Sequence, residues 1–239
     1  MADGVTIDRS MLARLACEAV GTFTLVFAGM LAILTGGSTL AVAFAHGLAI
    51  AVMASATMSI SGGHLNPAVT FGAWIGRHIK GRDALLYVAA QVVAALVAAL
   101  LVHIAIGGGR SIAAGVPAVA PTVSMGRAIL VEAALTFFLV FVVYGTGIDP
   151  RFGARLGGLA IGLTVALDIL AGGAFTGAAM NPARWLGPAI ANGDLSGWLV
   201  YTLGPLLGAA LAALLWRGLL TERKAPAEAP PALPDARYS

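Results

Sequence analysis

The sequence predicts an all-α membrane protein: six transmembrane helices plus two re-entrant half-helices, arranged as an inverted repeat. Three observations lead there. The 239 residues are 59% hydrophobic and 10% charged, with a mean hydropathy of +0.92, too few charges to cover a water-facing surface. Six apolar runs approach the roughly 20 residues needed to cross about 30 Å of hydrocarbon. And the stretch SGGHLNPAV (61–69) returns as TGAAMNPAR (176–184), each copy in apolar surroundings that an Asn-Pro pair should interrupt.

The runs are about 11–34, 39–59, 84–106, 126–147, 156–173 and 197–217. The first keeps Glu18 and lacks a small-residue cleavage site after a short apolar core, so it is a retained span rather than a signal peptide. Six crossings put both termini on one side. Arg9 and Arg14, then Arg77, Lys80 and Arg82, then Arg151 and Arg155, and finally Arg217, Arg223 and Lys224 fall on that side; the opposite face holds Arg110 and Arg127. This bias places both termini in the cytoplasm and suits a cell (inner) membrane. The net charge of +3 thus reports topology, not a nucleic-acid partner. Residues 1–10 read as a cytoplasmic N-terminus and 11–218 as the membrane unit, made of repeats at about 11–106 and 126–217. Residues 219–239, Pro- and Ala-rich, read as a flexible cytoplasmic tail. Cys17 stands alone, which leaves no disulfide or thiolate metal site, and is expected to pack inside the bundle.

EAVGTFTLVF (18–27) matches EAALTFFLVF (132–141), and each leads after about fifty residues to an Asn-Pro-Ala. Each half has three spans, an odd number, so the second copy enters the membrane from the other side, and the halves relate by a two-fold axis in the membrane plane. About ten helix-compatible residues follow each motif (PAVTFGAWIG and PARWLGPAI). Ten residues of helix rise about 15 Å, half a bilayer. Two half-helices entering from opposite faces would complete a seventh, broken span. Irregular backbone survives at membrane depth only when buried in protein or lining a wet cavity, so the Gly-rich approaches SGGHL and AGGAFTGAAM are expected to be pore wall.

Asn followed by Pro suits a helix start: Asn caps free N–H groups and Pro at the first position gives up a donor that lacks a partner anyway. The amide NH₂ groups of Asn66 and Asn181 are then left over. Meeting at mid-membrane with two positive helix ends behind them, they would orient a passing water by its oxygen and repel cations.

With these motifs in place (the paired Glu, HLNPAVT, YGTGIDPR and MNPAR), residues 10–218 resemble the aquaporin family, the major intrinsic proteins. The resemblance implies an aquaporin-like fold whose two motifs, Asn66-Pro67-Ala68 and Asn181-Pro182-Ala183, line a single-file pore, four such pores forming a homotetramer in the lipid bilayer. It also implies a selectivity constriction of His46, Ile169, Ala178 and Arg184. That set, like the run DILAGGAFTGAAMNPAR, is similar to plant tonoplast intrinsic proteins. Arg184 would supply a permanent charge and a fork of donors that favour neutral solutes, and His46 one donor and one acceptor when neutral. Ile169 and Ala178 give an aliphatic wall, wider and less hydrophilic than in a strict water channel, so ammonia, hydrogen peroxide or urea are expected beside water. Glycerol is not favoured, because Trp185 and Ala189 stand where glycerol conductors carry an acidic and a basic residue. Thr202 departs from the Trp common after such a Tyr.

Glu18 and Glu132 hold equivalent positions and are expected to support the loops by accepting backbone N–H groups. Gly62, Gly63, His64, Thr176 and Gly177 are expected to offer backbone carbonyls to the pore. Gln91 reads as helix-to-helix glue, and Asp168, one residue before Ile169, as supporting the wall or touching a neighbouring subunit. No cluster of nucleophile, acid and base and no metal set appears, so neither an enzyme nor a cofactor is expected. The reading is a passive channel for water and small neutral solutes, excluding protons and ions. An ion-coupled secondary transporter would use the same inverted repeat, but only Asp168 and the two glutamates could serve a coupling ion; a junctional protein with a vestigial pore would share the scaffold too.

Overall fold

The computed structural model describes residues 10–106, 111–149 and 156–220. The expectations for the residues before Ser10 and for the tail from 221 onward lie outside the described residues, as do those for Arg9, Arg110, Arg151, Arg155, Arg223 and Lys224.

Eight α-helices follow in order among the described residues: α1 Met11–Leu34, α2 Thr39–Ser61, α3 Pro67–Ile75, α4 Gly81–Ile106, α5 Met125–Val143, α6 Gly157–Thr176, α7 Pro182–Asn192 and α8 Trp198–Leu215. All but α3 and α7 are long and apolar enough to cross a membrane. Ser10 and Ser38 cap α1 and α2 through their hydroxyls. α5 and α8 each widen into a π-turn, Tyr144–Ile148 and Trp216–Leu220, where rings stack: Tyr144 lies 6.1 Å from Trp216. α6 runs to Thr176, so AGGAFT is helix rather than open pore wall. Gly172 explains why this stretch needs glycine even as helix: a Cβ there would overlap Leu135 of α5.

Helices without a hydrophobic driving force between them associate where small residues let backbones approach. At the crossing of α2 and α6, a Cβ on Gly162 would strike the carbonyl of Gly47, while one on Gly47 would lie 2.6 Å from the carbonyl of Gly162. α5 and α8 repeat the device at Gly208, whose Cβ would meet the carbonyl of Ala133. The crossing of α2 with α6, together with α4 against α7 and α3 against α8, holds the two repeats in one bundle, while α1 with α4 and α5 with α8 pair within each repeat. Cys17 is only partly buried. Arg14 reaches Asp83 at 3.4 Å, and Arg217 donates to the Ile75 carbonyl at 3.3 Å. These contacts gather the start of α1, the end of α3, the start of α4 and the end of α8 at one end of the bundle.

Candidate functional site

The centre is built twice from the same parts. Asn66 caps α3 by accepting from Ala68 N at 2.8 Å; Asn181 caps α7 by accepting from Ala183 N at 3.0 Å and Arg184 N at 3.2 Å. Their amides are not left over, as the sequence suggested. Asn66 Nδ2 donates to the Met180 carbonyl and Asn181 Nδ2 to the Leu65 carbonyl, both at 2.9 Å. A buried donor without a partner costs about 1–3 kcal/mol, so one hydrogen of each NH₂ ties the two half-helices tip to tip and the other remains.

Those carbonyls are aimed by left-handed backbone. Leu65 (φ 53°) and Met180 (φ 51°) both adopt it, as do the paired Gly63 (φ 60°) and Ala178 (φ 44°). For residues with a Cβ this costs roughly 1–2 kcal/mol each, and the approaches to the motifs supply compensation. Glu18 accepts from Ser61 Oγ (2.7 Å), His64 N (3.0 Å), Leu65 N (2.6 Å) and Gln91 Nε2 (2.8 Å). Glu132 accepts from Thr176 Oγ1 (2.7 Å), Ala179 N (2.9 Å) and Met180 N (2.7 Å). Gln91 also donates to Thr70 Oγ1 at 3.1 Å, a strut without a counterpart on Glu132.

A narrow cavity runs past these tips, lined by Asn66, Asn181, Gly63, His64, Ile169, Ala178 and Arg184 and by aliphatic residues such as Val143 and Ile161. Only about 20 Å³ of it admits the centre of a water molecule, little more than one water requires. Gly63, His64, Val143 and Ile161 also line a wider cavity that takes in Gly62, Arg14 and His78, so the narrow path opens toward the Arg14 end of the bundle. Arg184 is 6% exposed, and its Nε and Nη1 find no acceptor among the described residues.

Four expected lining residues are not on this narrow wall. His46 is not among the residues lining the narrow cavity: its Nδ1 meets the Val42 carbonyl at 2.8 Å, and its ring fills the space above Gly29, where a Cβ would overlap it. Arg184 acts on it electrostatically. Thr176 spends its carbonyl on the Tyr201 hydroxyl at 2.7 Å, Gly177 packs on Pro117 and Ala118, and Gly62 belongs to the wider cavity. His64 engages its ring with Thr70 Oγ1 at 3.1 Å, although a carbonyl role alone was expected. Asp168 is 1% exposed within the single chain, with Oδ2 unpartnered among the described residues, so its side chain is not a subunit contact. Two pairs escaped the sequence reading. Leu65 and Met180 directly precede the two asparagines, and Tyr87 and Tyr201 follow them by 21 and 20 residues, each tyrosine hydroxyl bonding the carbonyl of the helix end before its motif (Ser61 and Thr176). Equal place in the repeat was the available signal.

The family model described as "Major intrinsic protein" matches residues 6–216. The chain is 43% identical over 237 residues to "Probable aquaporin TIP3-2" of Arabidopsis thaliana, covering 92% of this chain and 87% of that protein. It is 44% identical over 220 residues to "Aquaporin TIP4-1" of Zea mays, covering 87% and 85%. Among solved structures, the aquaglyceroporin from Plasmodium falciparum superposes with a TM-score of 0.78 at 24% identity over 88% of this chain and 97% of that one, a likeness of fold.

Proposed function

Because the chain belongs to the major intrinsic protein family, we propose that the narrow cavity between α3 and α7 is its conducting path and that Asn66, Asn181 and Arg184 govern what crosses. The protein is a multi-pass integral membrane protein and a passive channel for water and small solutes, not an enzyme. The ion-coupled transporter falls with that membership.

The observation that carries the proposal is the reciprocal pair of asparagine-to-carbonyl hydrogen bonds at the lip of the cavity. The remaining hydrogen of each amide can donate to a water oxygen at the junction of two positive helix ends, a field that disfavours cations and protons. His46, Ile169, Ala178 and Arg184 form the selecting layer. The unpartnered guanidinium nitrogens give a neutral solute donors to lean on, and the aliphatic members leave room for ammonia, hydrogen peroxide or urea. The assembly is a homotetramer in the lipid bilayer, as the relatives' family suggests, and the lysine and arginine bias supports a cell (inner) membrane with both termini cytoplasmic.

Proteoliposomes test this in one preparation challenged with water, ammonia, peroxide, urea and glycerol. Fast flux of water and of at least one of the first three solutes, with glycerol lagging and no proton leak, is expected. Glycerol flux matching that of water would overturn the assigned selectivity.

A further inference from the structure

Away from the conducting path, an apolar groove lies between α3 and the first turns of α4, bounded by Phe71, Trp74, Gly81, Ala84, Leu85 and Val88. It faces outward: Trp74 is 48% and Leu85 72% exposed. Gly81 keeps its end open, since a Cβ there would stand 3.2 Å from Trp74 Nε1. That end meets the link carrying Arg77, Lys80 and Arg82, all exposed, none in an ion pair among the described residues. Asp83, the nearby acid, is engaged by Arg14. Arg77 closes α3 in left-handed backbone at φ 66°, where helices favour glycine. A costly conformation thus falls at a position bearing a cation.

We propose that this groove binds one anionic diacyl phospholipid, an acyl chain lying against Phe71, Trp74, Leu85 and Val88 and the phosphate held by Arg77, Lys80 and Arg82. Charge complementarity selects this occupant: a helix from a partner would fill the apolar part and leave three cations unanswered, whereas a lipid in the surrounding bilayer meets both at the depth where chain gives way to headgroup. The wider groove at the other end of the bundle, beside Trp185 and Tyr201, is lined by Asp194 and by no cation among the described residues, and lacks this match. The proposal rests on the membrane spans and not on the conducting path, so lipid binding and flux can fail separately.

Native mass spectrometry of the purified full chain, titrated with dioleoyl phosphatidylglycerol or dioleoyl phosphatidylcholine, tests it. The anionic lipid should bind on the order of a hundredfold more tightly than the zwitterionic one, as three surface cations imply. The triple variant Arg77→Gln, Lys80→Gln, Arg82→Gln should lose that preference. The double variant Arg77→Lys, Arg82→Lys should keep it, and Val88→Phe should weaken both lipids by filling the groove. Equal binding of the two lipids by the native chain, an unchanged preference in the triple variant, or indifference of both lipids to Val88→Phe would each overturn the site.

Discussion

Arg184 holds a charge that cannot be switched off, beside the aliphatic Ile169 and Ala178 in the wall of the narrow cavity. Replacing it by Val removes both the cationic barrier and the donors. Urea permeability in proteoliposomes should rise on the order of tenfold, the effect of about 1.4 kcal/mol on a barrier; unchanged selectivity would take Arg184 out of the selecting layer. Glu18 and Glu132 give a graded test. A Gln in either place keeps the shape but loses an acceptor site, leaving a buried N–H unmet at about 1–3 kcal/mol. Because Glu18 serves four donors and Glu132 three, Glu18→Gln should lower the melting temperature more than Glu132→Gln, and the reverse order would show the struts are misassigned. Asp168 is the opposite case. Its buried Oδ2 has no partner among the described residues, so Asp168→Asn should keep water flux and raise the melting temperature slightly; loss of flux would give Asp168 a part in conduction.

Elements meet here through glycine rather than through interlocking side chains. Gly162→Leu would push α6 off the Gly47 backbone and cost about 1–3 kcal/mol or more by overpacking, seen as a lower melting temperature and less folded protein. Gly126→Ala is the control, since nothing lies within 4 Å of a Cβ there; it should be neutral or stabilising by up to about 1 kcal/mol. Equal tolerance of the two changes would contradict the packing described. This is also the scale at which the sequence was most legible. Spans announce themselves because lipid forbids any other use of twenty apolar residues, and Asn-Pro marks a helix start by capping chemistry. The π-turns after α5 and α8 were hidden, since ring stacking between Tyr144 and Trp216 is a contact across more than seventy residues. So was the packing of the His46 ring on Gly29, which depends on an absent side chain in another helix.

For the molecule as a whole, the duplication does more than repeat a fold. Inverting one copy brings two helix N-termini face to face, a meeting that neither half could make alone, and each half supplies the carbonyl that the other's asparagine needs. The repeat was readable from the sequence; the crossed hydrogen bonds were not, because spacing says that Asn66 and Asn181 correspond but not that each reaches past the other. The central claim is that this junction borders a continuous water path. The temperature dependence of osmotic shrinkage in proteoliposomes tests it most directly: the path predicts a water permeability well above that of protein-free vesicles of the same lipid, with a lower activation energy. A rate and an activation energy equal to those of the bare vesicles would contradict it.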